Sequence, residues 1–225
     1  MRNIKETIVV LSAVSILFAQ CSSLNNTQKG AGIGTAGGAA AGAVIGKAAG
    51  NTAAGAIIGA VVGGVAGGLI GKKMDKQAEE IKTELPGVKV ERVDEKIVVE
   101  FSSAVLFGFD QSNLTSGALK NLEDLVVILN KYPDTDIEVQ GHTDNTGSAD
   151  YNQRLSRTRA DNVSNYLIGK GIDTARVTSI GYSFTRPKYD NATANGRTQN
   201  RRVEFVITAN EKMKNEALKE AEATQ

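Results

Sequence analysis

The chain reads as an α/β protein: a βαβαβ-type mixed sheet with helices packed on it, an α+β sandwich, preceded by a glycine-rich helical hairpin. Three observations predict this. Strand-like and helix-like apolar periods alternate from Val88 to Ile207, which calls for crossover connections between strands. Fifteen of the 24 glycines fall between Gly30 and Gly71, so the chain has two physical regimes. A net charge of +1, one histidine and one cysteine leave no concentrated basic surface for nucleic acid and no material for a disulfide framework.

The N-terminus carries Arg2 and Lys5, an apolar run from Ile8 to Ala19, and small or polar residues around Cys21. This is the layout of a secretory signal, and the run falls short of the roughly 20 residues a transmembrane helix needs. It resembles a bacterial lipoprotein signal, although Gln20 stands where that family prefers Gly or Ala. The resemblance implies that residues 1–20 are removed, that Cys21 is lipidated, and that 21–29 form the lipidated N-terminus and spacer. Ser22 in place of Asp implies sorting to the outer membrane, with the C-terminal domain in the periplasm.

Glycine then recurs every fourth residue, at Gly30, Gly34, Gly38, Gly42, Gly46 and Gly50, and again from Gly55 through Gly59, Gly63 and Gly67 to Gly71, with Asn51-Thr52 as the turn. On a helix each series makes one smooth face that another backbone can approach. The pattern resembles the glycine zipper. Each interior glycine costs about 1 kcal/mol relative to alanine, and close packing in a bilayer offsets that cost. Residues 30–73 are therefore expected to form a membrane-associated hairpin with Lys72 and Lys73 at the interface; a flexible Ala/Gly linker is the competing reading.

Residues 74–87 read as a connector, charged and helix-favouring from Met74 to Glu84 and stopped by Pro86-Gly87. From 88 to 210 a folded domain is expected. Val88 and Val90, then Ile97, Val99 and Phe101, alternate about Asp94-Glu95 as a hairpin does. Leu119, Leu122, Val126 and Leu129 give a helical stripe ended by Pro133, and Ile137 and Val139 a strand. Tyr151 to Gly169 reads as a second helix capped by Ser148 or Asp150. Val177 and Ile180 mark another strand, and Val203, Phe205 and Ile207 the last. Residues 211–225 are expected to be a charged, helix-prone, frayed tail.

One residue breaks the pattern. Arg159 lies in the apolar series of Leu155, Val163 and Leu167, and a buried guanidinium needs an anion. Asp144, in the loop after the strand at Ile137, is a candidate neighbour. A structural ion pair would explain both residues. An enzyme is the rival class, with His142 and Asp144 as a metal or acid/base pair, but no second acid, nucleophile elbow or three-ligand set accompanies them.

The run Gly141-His142-Thr143-Asp144-Asn145-Thr146-Gly147, then Asn152, Leu155-Ser156 and Arg159-Ala160, resembles the peptidoglycan-binding motif of OmpA-like domains. Phe109-Asp110, Gly181-Tyr182, Pro187, Asn191, Thr193, Gly196-Arg197 and the run from Asn200 to Glu204 extend the resemblance over roughly residues 95 to 210. Ser183-Phe184-Thr185 departs from it, standing where the family commonly has Gly and Glu. The resemblance implies a binding protein without enzymatic activity or cofactor, with peptidoglycan as partner. Asp144 and Arg159 would clasp the ammonium and carboxylate of diaminopimelate, and Phe109, Asp110, Thr143, Asn145, Asn152 and Arg197 would be secondary contacts. For Asn200, Arg201 and Arg202 a loop-anchoring hydrogen-bond network is at least as good a reading. The whole would be a lipid-anchored tether between outer membrane and wall; the alternative is a glycine-zipper homo-oligomer for which the wall-binding domain is only a tether.

Overall fold

The computed structural model describes residues 52–108 and 111–224, with side chains from residue 64 onward. The signal segment, Cys21, the spacer and the first glycine series lie outside the described residues. Helix α1 (Thr52–Glu84) leads into the hairpin β1 (Lys89–Val93) and β2 (Lys96–Ser102), then a single turn α2 (Ser103–Leu106). Helix α3 (Ser116–Lys131), strand β3 (Thr135–Gly141), helix α4 (Ala149–Gly169) and strand β4 (Val177–Gly181) follow. A short α5 (Ala194–Asn200), β5 (Arg202–Ala209) and α6 (Glu211–Ala223) complete the order.

The sheet order is β1-β2-β5-β3-β4, antiparallel except for the β3–β4 pair, which is parallel across the α4 crossover. Register follows the period-two apolar pattern. Three cross-strand rows, Ile97–Ile207–Ile137, Val99–Phe205–Val139 and Phe101–Val203–Gly141, point to one face. Their apolar members are buried in one core together with Leu122, Leu125 and Leu129 of α3 and Val163 and Leu167 of α4. Burying each of the larger side chains is worth roughly 1.5–3 kcal/mol. The Phe101 and Phe205 rings meet edge to face at 5.3 Å between centroids. The expected α/β sandwich is therefore present, with its helices on the face these rows line.

Several caps explain where the helices begin and end. Thr115 caps α3 by accepting from the Ala118 N–H, and Ser148, not Asp150, caps α4 through the Tyr151 N–H. The far end of α3 is closed by Arg176, whose guanidinium donates to the Leu129 and Tyr132 carbonyls. Leu119, expected in the α3 stripe, stays partly exposed; Leu125 and Ile128 are buried in that helix.

Two segments differ from the sequence expectation. The charged connector at 74–84 is the second half of α1, and its Met74, Ala78 and Ile81, with Leu85 beyond, belong to the main core. Charge on one face hid an apolar 74, 78, 81, 85 spacing on the other. The supposed frayed tail is α6, which packs on α1: Met213 enters the core, and Ala217 and Ala221 bury against Ala66, Leu69 and Ile70. Gly67 and Gly71 of the second glycine series are buried, and small residues let two helices approach closely. Among the described residues no helix is long and apolar enough to cross a membrane.

If α6 is part of the folded unit, Met213→Ala should lower unfolding stability by about 2–5 kcal/mol. Urea denaturation of the full chain followed by circular dichroism checks this, and no change would restore the frayed-tail description.

Candidate functional site

Two glycines bring the site together. Gly141 ends β3 and Gly181 ends β4, paired in register. A Cβ on Gly141 would lie 2.0 Å from the Ser156 carbonyl oxygen, and one on Gly181 would lie 2.5 Å from the Arg157 nitrogen. The backbone of α4 therefore rests directly on the ends of both strands. Hydrogen bonds lace the three chain segments that meet there: Tyr182 N–H to the Gly141 carbonyl at 2.9 Å, Thr143 N–H to the Ser183 carbonyl at 2.9 Å, and Ser183 N–H to Ser156 Oγ at 3.0 Å. From β5, the Arg202 carbonyl accepts from His142 N–H at 2.9 Å. Ser183 adopts φ +52°, a left-handed conformation that costs a non-glycine residue about 1–2 kcal/mol. The lacing on both sides of its peptide supports that strain.

Asp144 sits in the loop between β3 and α4, 5 % exposed. Its Oδ1 accepts from the Thr146 N–H at 2.8 Å, and its Oδ2 pairs with Arg201 Nη1. Burial alone would raise this carboxyl; the Thr146 N–H and the Arg201 guanidinium outweigh it and hold the pKa below the ordinary value. Thr143 is buried beside it, while Asn145 is exposed on the outer side of the loop. Gly147, at φ +91°, turns the chain into α4. Asn152 donates to the Thr146 carbonyl at 2.8 Å and the Ser148 carbonyl at 3.2 Å, stapling the loop to the helix.

Arg159 lies two turns further along α4 and is 4 % exposed. Its Nε donates to the Gln111 carbonyl at 2.9 Å, and its guanidinium carbon stands 5.1 Å from the centroid of the Phe107 ring. Phe109 and Asp110, expected as walls of the cleft, lie outside the described residues. Arg197 donates to the carbonyls of Asn191 and Ala192, which gives it a structural task in the turn before α5. The structure thus gathers Thr143, Asp144, Asn145 and Asn152 at the start of α4, and places Arg159 against the segment after α2.

The triplet before β5 divides its labour. Asn200 accepts from the backbone of Lys188 and Tyr189 and donates to the Tyr189 carbonyl, the loop-anchoring network that was one of its two readings. Arg202 turns inward to a buried ion pair with Glu204 at 2.6 Å. Arg201 turns the other way to Asp144, a contact that sequence reasoning missed. The signal was available in principle: entering a strand, consecutive side chains point to opposite sides, so only one of two adjacent arginines could face the loop.

His142 is 2 % exposed and stacks on Tyr182 at 5.5 Å, with the Arg186 guanidinium 3.8 Å above the Tyr182 ring centroid. Burial, reinforced by Arg202, Arg186 and Lys188, pushes its pKa down from the ordinary 6.5 to about 3. A histidine neutral at that depth is poorly suited to proton transfer near neutral pH.

Residues 106–201 match the OmpA family, and residues 1–75 match the YMGG-like Gly-zipper family. Probable lipoprotein YiaD of Escherichia coli (strain K12) is 36% identical over 137 residues, 60% of this chain and 63% of that protein. Peptidoglycan-binding protein ArfA of Mycobacterium bovis is 36% identical over 103 residues, 46% of this chain and 32% of that protein. The solved structure of the cell wall anchor of the T6SS from Pseudomonas aeruginosa aligns with a TM-score of 0.52 at 31% identity, over 60% of this chain and 96% of that one. The chain spans less than two thirds of the length of these curated relatives, 63% of the first and 32% of the second.

The buried histidine makes a pH prediction. The unfolded chain takes up a proton on His142 below about pH 6.5 while the folded chain refuses it until about pH 3, so its contribution to stability is full above that window and drains away as pH falls through it. Equilibrium unfolding of the wild type and His142→Gln across this range should show a shallower acid loss in the variant. Parallel curves would mean that the imidazole titrates normally in the fold.

Proposed function

Given that the C-terminal domain of this chain belongs to the OmpA family, we propose that the protein binds peptidoglycan non-covalently through diaminopimelate and tethers the outer membrane to the wall as a lipid-anchored protein. The observation that carries this reading is the buried, ionised Asp144. A carboxylate 5 % exposed and kept charged against its own desolvation by the Thr146 N–H and the Arg201 guanidinium is a fixed, preorganised anion at the head of the loop. It is useful as one half of a zwitterion receptor.

The free end of diaminopimelate carries an ammonium and a carboxylate on one carbon. Asp144 takes the ammonium. Arg159, whose planar fork matches a carboxylate bidentately, takes the other group. Thr143 and Asn145 flank the ammonium side, and Asn152 holds the loop in the conformation that presents them. Nothing in this scheme transforms the ligand. ArfA, by its name a peptidoglycan-binding protein, and the cell wall anchor support the polymer as partner, and the likeness to a probable lipoprotein supports anchoring through Cys21.

The test is co-sedimentation of the full chain with purified diaminopimelate-type sacculi. Asp144→Asn, which keeps shape and removes charge, and Arg159→Lys, which keeps charge and removes the fork, should each weaken binding by about tenfold or more while leaving the circular dichroism spectrum unchanged. Retention equal to wild type in both variants would make the pair structural and refute the clasp.

A further inference from the structure

The face of the sheet turned away from the helices carries a groove of about 450 Å³, a volume within the roughly 300–1,000 Å³ of small-ligand sites. Its floor is built by strand alternation. While Ile137 and Val139 of β3 point into the core, Asp136, Glu138 and Gln140 point the other way, and Thr178 of the edge strand β4 stands beside them. Tyr182 and Arg186 close its upper end.

We infer that this groove is a second subsite, for the glycan strand of the same wall polymer whose peptide stem the Asp144 loop holds; the inference rests on the peptidoglycan-binding reading above. Two features choose the ligand class. First, the lining is mostly polar and close to balanced in formal charge: Asp136 and Glu138 stand against Lys96, Arg176 and Arg186, and of these the Arg176 guanidinium is engaged with backbone carbonyls and that of Arg186 covers the Tyr182 ring. Such a surface selects neither an apolar ligand nor a strongly charged one. A neutral sugar offers hydroxyl and acetamide groups instead, and the Glu138 carboxylate with the Gln140 amide bonded beside it can receive them.

The second feature is continuity. Tyr182 lines the groove and stacks on His142, two residues before Asp144 in the site loop. The Arg202 carbonyl fixes His142, and the Arg202 guanidinium donates to the Arg186 carbonyl, so the upper wall of the groove and the site loop are one hydrogen-bonded unit. Gln140 precedes Asp144 by four residues, at most about 13–14 Å of extended chain. One polymer segment can therefore engage both places at once.

Titration calorimetry on the full chain separates the two subsites with three probes: a diaminopimelate stem peptide without sugar, the same stem on its disaccharide, and an N-acetylglucosamine tetramer. The disaccharide-bearing stem should bind about tenfold tighter than the bare stem, a bonus of about 1.4 kcal/mol. Thr178→Trp, which fills the groove from an exposed edge position, and the double variant Glu138→Ala/Gln140→Ala should each abolish that bonus and leave bare-stem affinity unchanged. Equal affinity of the two stem ligands for wild type, or a bonus that survives both variants, overturns the groove and leaves the clasp standing. Binding of the tetramer with none of the bare stem overturns the clasp and supports the groove. Concentration-dependent self-association that Thr178→Trp abolishes, with no sugar effect, would assign the face to a second copy of the chain and refute the inference.

Discussion

The closeness of α4 to the ends of β3 and β4 is the constraint from which the site follows. With Gly141 and Gly181 offering no Cβ, the helix backbone settles onto the two strand ends, and three otherwise separate segments come within hydrogen-bonding reach of one another. Any side chain at either position would push α4 outward. Ser183 would then lose its bond to Ser156, and Arg159, carried on α4, would move relative to the Asp144 loop. Packing thus converts two missing methyl groups into the placement of two charges.

Those charges are held by different means. Asp144 keeps its proton off because a backbone N–H and the Arg201 guanidinium outweigh its desolvation. Arg159 is steadied by a carbonyl and an aromatic face, neither of which titrates. Around them the Asn200 network, the Arg202–Glu204 pair and the His142–Tyr182–Arg186 stack bind the neighbouring loops into one piece. This arrangement holds the two charges in place before any ligand arrives, the preorganisation that the proposed clasp calls for.

Much of this was legible in the sequence because the governing signals are local. Strand alternation at Ile97, Val99 and Phe101, the Ser148 cap and the arginine in the α4 stripe are patterns of residue type at fixed spacing, and each is realised. What escaped was non-local. The connector and the tail look solvent-borne when each is read alone; they are apolar only on the faces that meet, Met74 and Ala78 with the core and Ala217 and Ala221 with Ala66. The partner of Arg201 escaped for the same reason, since 57 residues separate it from Asp144. Short α5 carries no apolar period, and its existence depends on Thr193 as a cap and on a backbone approach at Gly196 that no window of sequence displays.

Recognition of a zwitterion is tested most directly by titrating into the full chain two stem peptides identical except that one carries diaminopimelate and the other lysine. Lysine keeps the ammonium for Asp144 and lacks the carboxylate for Arg159. Clear binding of the diaminopimelate stem with affinity for the lysine stem lower by about tenfold or more is the predicted result. Equal affinity for the two would contradict the clasp, because Arg159 would then have no ligand group to hold.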